Sequence, residues 1–178
     1  YVDQTVTVTI NGTNDVPVVS NAGTALLGTV TEAGHADDGT AAAGTATVSG
    51  TLAATDVDAG ATRTWSIEGT PSTTYGSIAL NASTGVWTYT LDNSLAATQA
   101  LKEGQTVTQT YTARVTDDLG AYVDQTVTVT INGTNDVPVV SNLPAALAGS
   151  ITEAGHADDG TATAGTATVS GTLAATDV

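Results

Sequence analysis

The chain has 178 residues, with 18 acidic side chains against 3 basic ones, a net charge of −15, and no cysteine, methionine or phenylalanine. That balance offers no basic face to nucleic acid or to an anionic membrane surface. The lack of cysteine excludes disulfides and thiolate-held zinc or iron–sulfur centres, and no apolar run is long enough to span a bilayer.

The chain opens on "YVDQTVTVTI" (Tyr1–Ile10), a strict alternation that reads as a strand. A first residue in mid-strand marks the sequence as a piece of a longer chain. "NGTND" (Asn11–Asp15) follows, and then Val16-Pro17. Proline cannot join a central ladder, and it pushes the residue before it into an extended conformation. The boundary is therefore set between Asp15 and Val16. Residues 1–15 become the last strand and linker of a preceding repeat, and residues 16–136 the complete domain.

"VPVVS" (16–20) and "LLGTVTE" (26–32) read as a broken first strand, and "TATVSGTLAATD" (45–56) as the second. "TRTWSIE" (62–68), "GSIALN" (76–81) and "VWTYTLD" (86–92) follow, separated by the turn signals "DVDAG" and "NASTG". "LDNSLAATQALKEG" (91–104) is a crossover with one helical turn. "TVTQTYTARVTD" (106–117) and "YVDQTVTVTI" (122–131), joined by "DDLG", close the domain. The inward set is Val127, Val129 and Ile131 with Trp65, Ile67, Trp87, Tyr89 and Leu91. The threonines between them, as in Thr5, Thr7 and Thr9, form the outer face of a strand.

The last strand copies the first segment letter for letter. At an offset of 121 residues, only seven of the 57 overlapping positions differ. Residues 137–178 are thus the truncated head of a third repeat. Near-identity at this period marks a tandem array of small autonomous domains. About seven short strands in such a length point to an all-β, immunoglobulin-like antiparallel sandwich.

Tracing the chain through a sandwich brings three acidic segments to one end: Asn14 and Asp15, Asp56 and Asp58, Asp117 and Asp118. Carboxylates crowded together need a cation. Calcium suits them, because it takes six to eight oxygens at roughly 2.3–2.6 Å from loops and carbonyls, whereas magnesium demands a strict octahedron. The other reading is that Asp, Asn and Gly serve as ordinary turn formers. Of the 18 acids, 14 are Asp, a bias that mere solubility does not require.

"EAGHADDG" (32–39) is a second, weaker site. Asp37 and Asp38, with Glu32, lie at the opposite end, as do their copies Glu153, Asp158 and Asp159. One histidine per repeat, with no nucleophile fixed beside it, gives no basis for catalysis. Asn11, Asn81 and Asn132 match the N-glycosylation pattern, which arises readily in a threonine-rich chain.

Taken together, "GTVTEAG…SGTLAATDVDAG", "TYGSIALNASTGVWTYTLDN", "TQALKEGQTVTQTYT" and "VTVTINGTND" resemble the VCBS-type repeat of giant bacterial surface proteins over its whole length. The resemblance implies a cadherin- or immunoglobulin-like sandwich. It implies the extender of an RTX adhesin, secreted by a type I system to the cell surface, with calcium at the domain junctions. Under it the repeats have no enzymatic activity. They supply reach and stiffness to distal domains that serve attachment or biofilm formation. The "TND" linker followed by D-x-D is also similar to the cadherin junction. The second junction offers Asn135, Asp136 and Asp177, but the chain ends before an equivalent of Asp58.

The partners expected are adjacent repeats of the same chain, with no nucleic acid, no membrane insertion and a monomer in solution. Where ends meet, Thr5–Ile10 of one chain suits strand addition to Leu147–Thr152 of another. The rival reading is a glycan- or protein-binding module, with Tyr75 and Tyr111 as its surface aromatics. A two-carboxylate glycosidase fits poorly, since an array of near-identical neighbours gains length rather than chemistry.

Overall fold

The computed structural model describes residues 1–177. The chain divides between Asn135 and Asp136 into two compact units.

In the first unit the strands, in chain order, are β1 (Val18–Val19), β2 (Leu27–Thr31), β3 (Gly34–His35), β4 (Ala41–Ala42), β5 (Thr47–Thr51), β6 (Ala54–Thr55), β7 (Arg63–Ile67), β8 (Gly76–Leu80), β9 (Val86–Leu91), β10 (Thr106–Asp117) and β11 (Tyr122–Asn132). A single helical turn, α1 (Ala96–Gln99), carries the crossover from β9 to β10. One sheet has the order β2-β11-β10-β7 and the other β5-β9-β8. Their inner faces share one core, so the unit is a β-sandwich.

The alternating pattern explains the central strand. Val127, Val129 and Ile131 of β11 are fully buried, while the threonines between them face outward. β11 pairs antiparallel with β10 along its whole length. Its other neighbour, β2, runs parallel to it, so the expected antiparallel sandwich contains one mixed sheet. The segment expected as one strand over 45–56 is broken at Leu52. β5 pairs with β9 and β6 with β1, so the chain changes partner there. Inside "EAGHADDG" the short hairpin β3–β4 forms, which alternation did not announce.

The core is thin, and the rings of Trp65, Trp87, Tyr89 and Tyr111 fill much of it. Trp87 is fully buried, and its indole Nε1–H donates to the Ala25 carbonyl at 2.9 Å. Gly28 and Gly50 make room for this ring. A Cβ at Gly50 would stand 2.6 Å from the indole nitrogen, and one at Gly28 would stand 2.9 Å from the far ring edge. Tyr89 and Tyr111 lie 6.1 Å apart, and both hydroxyls donate to Gln109 Oε1 at 2.8 Å. Tyr111 is therefore a core residue, 3% exposed, and not a surface aromatic. Its place on β10 puts it on the inward parity with Ala113 and Val115. Tyr75 is half-buried against the same core.

Residues 1–13 are exposed and form no strand. The same letters make β11 where β10 and β2 flank them. In the second unit, β12 (Val139–Val140) pairs with β15 (Ala175–Thr176), and β13 (Gly155–His156) pairs with β14 (Ala162–Thr163). Among the described residues of that unit, the copies of β2 and β5 form no ladder. Their partners in the first unit are β11 and β9, which have no counterpart in residues 136–178.

Candidate metal centre

Three segments meet where the chain enters the first unit. After β6, Asp58 N–H donates to Asp56 Oδ1 at 3.0 Å, the local turn that Asp favours. After β10, Asp117 Oδ1 accepts from Leu119 N–H at 2.9 Å and from Ala121 N–H at 2.8 Å. The linker joins both turns. Asn14 Nδ2–H donates to Asp117 Oδ2 at 2.8 Å, and Asp15 N–H donates to Asp58 Oδ2 at 2.8 Å. Asp118 Oδ1 accepts from Thr62 N–H at 3.1 Å and ties the β10–β11 hairpin to the 56–62 loop. All six residues of the first predicted group are thus linked through the three segments that carry them.

Asp117 is 6% exposed. The Asn14 amide, followed by backbone N–H groups of Ala121, Leu119 and Gly120, holds its carboxyl below the usual carboxylate range, against the opposing effect of burial. The neighbouring oxygen Asp56 Oδ2 is buried and accepts no hydrogen bond. Arg114 does not serve this end. Its Nε and second terminal nitrogen bind Asp124 at 2.7 and 2.9 Å, and its other terminal nitrogen lies 3.3 Å from Glu68. Among the described residues, no three His, Cys, Asp or Glu side chains stand close enough together to hold a metal ion by themselves. The acids of this end stand as the pairs Asp56 and Asp58, and Asp117 and Asp118, with Asn14 hydrogen-bonded to Asp117.

At the other end, Glu32 is fully buried. Its Oε1 accepts from Gln99 Nε2–H at 3.0 Å, and its Oε2 accepts from Thr134 N–H at 3.3 Å. It faces the outgoing linker, where His35 N–H also donates to the Asn135 carbonyl at 2.6 Å. Asp37 and Asp38 lie apart on an exposed turn, with Asp38 Oδ1 accepting from Thr40 N–H at 2.9 Å. The parity of Gly28, Val30 and Glu32 on one strand face was the signal for an inward carboxylate. In the second unit, Asp159 repeats the turn of Asp38, accepting from Thr161 N–H at 2.9 Å. Glu153 and Asp158 are exposed, and Asp136 and Asp177 also belong to that unit.

A two-sheet sandwich whose sequence recurs in tandem, laced by acidic turns at the point of chain entry, defines a structural module of the adhesion type. Residues 14–133 match the family model of the bacterial cadherin-like domain, and the chain belongs to that family. No curated protein matches the chain.

Proposed function

We propose that this chain is a spacer segment of a large secreted bacterial cell-surface adhesin. Calcium at each junction fixes the angle between successive repeats and holds distal adhesive domains away from the cell for attachment or biofilm formation. Export by a type I system is part of that reading, on the resemblance to RTX adhesin repeats. The observation that carries the calcium assignment is the orphaned Asp56 Oδ2. A buried carboxylate oxygen with no donor is costly, and it sits in a loop that binds the incoming linker.

The donor types suit calcium. Asp15, Asp56, Asp58, Asp117 and Asp118 offer carboxylates and Asn14 an amide oxygen, all hard ligands on turns able to adjust. The ion would supply positive charge where the linker and two loops converge. The chain's own residues do the positioning: the Asp58–Asp15 bond sets the linker's exit, and the Asn14–Asp117 bond sets its register. Asn135, Asp136 and Asp177 are the copies of Asn14, Asp15 and Asp56 at the repeat offset.

The glycan-binding alternative loses its platform, because Tyr111 is in the core and Tyr75 is half-buried.

Calcium titration by calorimetry, paired with small-angle scattering before and after EDTA, tests the proposal. Saturable binding and a longer, stiffer particle with calcium are expected, both lost in an Asp15→Ala, Asp56→Ala double variant. Absence of binding at millimolar calcium, with an unchanged particle, would reduce the acidic turns to solvation.

A further inference from the structure

The one parallel pairing in the first unit joins its first strand longer than two residues to its last. β2 runs alongside β11 through five register pairs, from Leu27 opposite Thr128 to Thr31 opposite Asn132. The chain comes into β2 at Leu27 and goes out of β11 at Asn132, into the outgoing linker. Tension along the chain therefore draws β2 backward and β11 forward, in opposite directions along one seam. The evenly spaced bonds of a parallel pair then take the load together. Had β2 run antiparallel, its start would lie beside the end of β11. The same tension would then peel the pair open one bond at a time.

The seam is reinforced just past the strand ends. Glu32 N–H donates to the Asn132 carbonyl at 2.9 Å, and His35 N–H donates to the Asn135 carbonyl at 2.6 Å. Glu32 Oε2 accepts from Thr134 N–H at 3.3 Å, and the Glu32 carbonyl accepts from Thr134 Oγ1 at 3.4 Å. The inner side of the seam is dry. Val30 stands opposite Ile131 and Gly28 opposite Val129, and Val30, Val129 and Ile131 are fully buried. A hydrogen bond broken there has no water at hand to replace it. By contrast β1, which tension reaches before β2, is held to β6 by two register pairs.

We propose that β2, Glu32 and His35 form a mechanical clamp with β11 and the outgoing linker, a shear-loaded seam through which the folded domain bears tension. This goes beyond the spacer reading, which asks of the domain only length and angle, and it does not depend on calcium. Resistance to forced unfolding is set by the unfolding rate rather than by overall stability. It can therefore reside in one seam of a thinly packed domain.

Single-molecule pulling on the full chain tests this. The chain has no cysteine, so handles attach only where one is introduced. Thr13 precedes β2 and Val137 follows β11, so Thr13→Cys with Val137→Cys loads the seam in shear. Asp37 follows β2, so Asp37→Cys with Val137→Cys pulls the same ends of both strands apart. The expected result is an unfolding force several-fold higher in the first geometry, at one loading rate and one calcium concentration. Val30→Ala, inside the seam, should lower that force. Leu80→Ala, on β8 at the edge of the other sheet, should leave it unchanged, although both variants lose stability in urea. Equal forces in the two geometries, a Val30→Ala force equal to the parent's, or a loss in Leu80→Ala as large as in Val30→Ala would each overturn the clamp. The handle pairs leave the core untouched, so the comparison of geometries stands even where a core variant fails to fold.

Discussion

At the scale of single residues, the entry end gives Asp56, Asp58, Asp117 and Asp118 a hydrogen-bond donor each, with Asp56 Oδ2 left over. Among these residues Asp117 carries a pH signature. Its folded-state pKa is depressed below the unfolded value of about 3.9. Its contribution to stability is therefore present above that value and is lost as pH falls through the folded pKa. Asn14 is the largest cause of the depression. The Asn14→Ala variant should titrate Asp117 at higher pH in a carboxyl NMR titration, and its acid unfolding should begin earlier. An unmoved Asp117 titration would mean that the linker bond is not formed in solution. Gly50 makes a separate case. A methyl there meets the indole nitrogen at 2.6 Å and the Ala25 carbonyl at 2.7 Å. Gly50→Ala should cost about 1–3 kcal/mol by overpacking, read from urea unfolding at an unchanged m-value.

At the scale of elements, one sequence occurs in two states. Tyr1–Ile10 is exposed chain, and the identical Tyr122–Ile131 is a central strand. Alternation specifies which face is apolar, but a strand satisfies its backbone only through neighbours. The same conservative change should therefore have different effects at the two places. Ile131→Val removes a methylene from a fully buried position and should cost roughly 0.5–1.5 kcal/mol. Ile10→Val in dilute solution should leave thermal unfolding where it was. Equal losses at both sites would show that the first segment is packed after all. β10 and β11 were legible almost residue for residue, because long alternating runs joined by a tight turn admit few other readings. β3 and β4 were not, because a two-residue ladder leaves no periodicity to read.

At the scale of the whole molecule, charge is the dominant problem. A net charge of −15 on 178 residues repels itself. Simple salt screens such repulsion, whereas a bound ion also fixes geometry. In EDTA, the melting temperature should rise as sodium chloride is added. In saturating calcium it should depend far less on salt. At a hundredfold excess over the dissociation constant, one ion adds about 2.7 kcal/mol, a large share of the stability of a small, thinly packed domain. A melting temperature indifferent to calcium at low salt would argue that solvation alone manages the charge.

The sequence by itself determined the period, the alternating strands, the inward set from Trp65 to Ile131 and the three acidic turns. These are local or repeating patterns, and side-chain parity along a strand is enough to read them. Tertiary structure decided what depends on a partner far along the chain: that β2 runs parallel to β11, and that Tyr111 hydrogen-bonds to Gln109 inside the core. It also decided that Glu32 turns to the outgoing linker rather than to Asp37 and Asp38. The clearest case is "YVDQTVTVTI" itself. Its letters set which side is apolar, but whether it is a strand depends on whether another strand lies beside it.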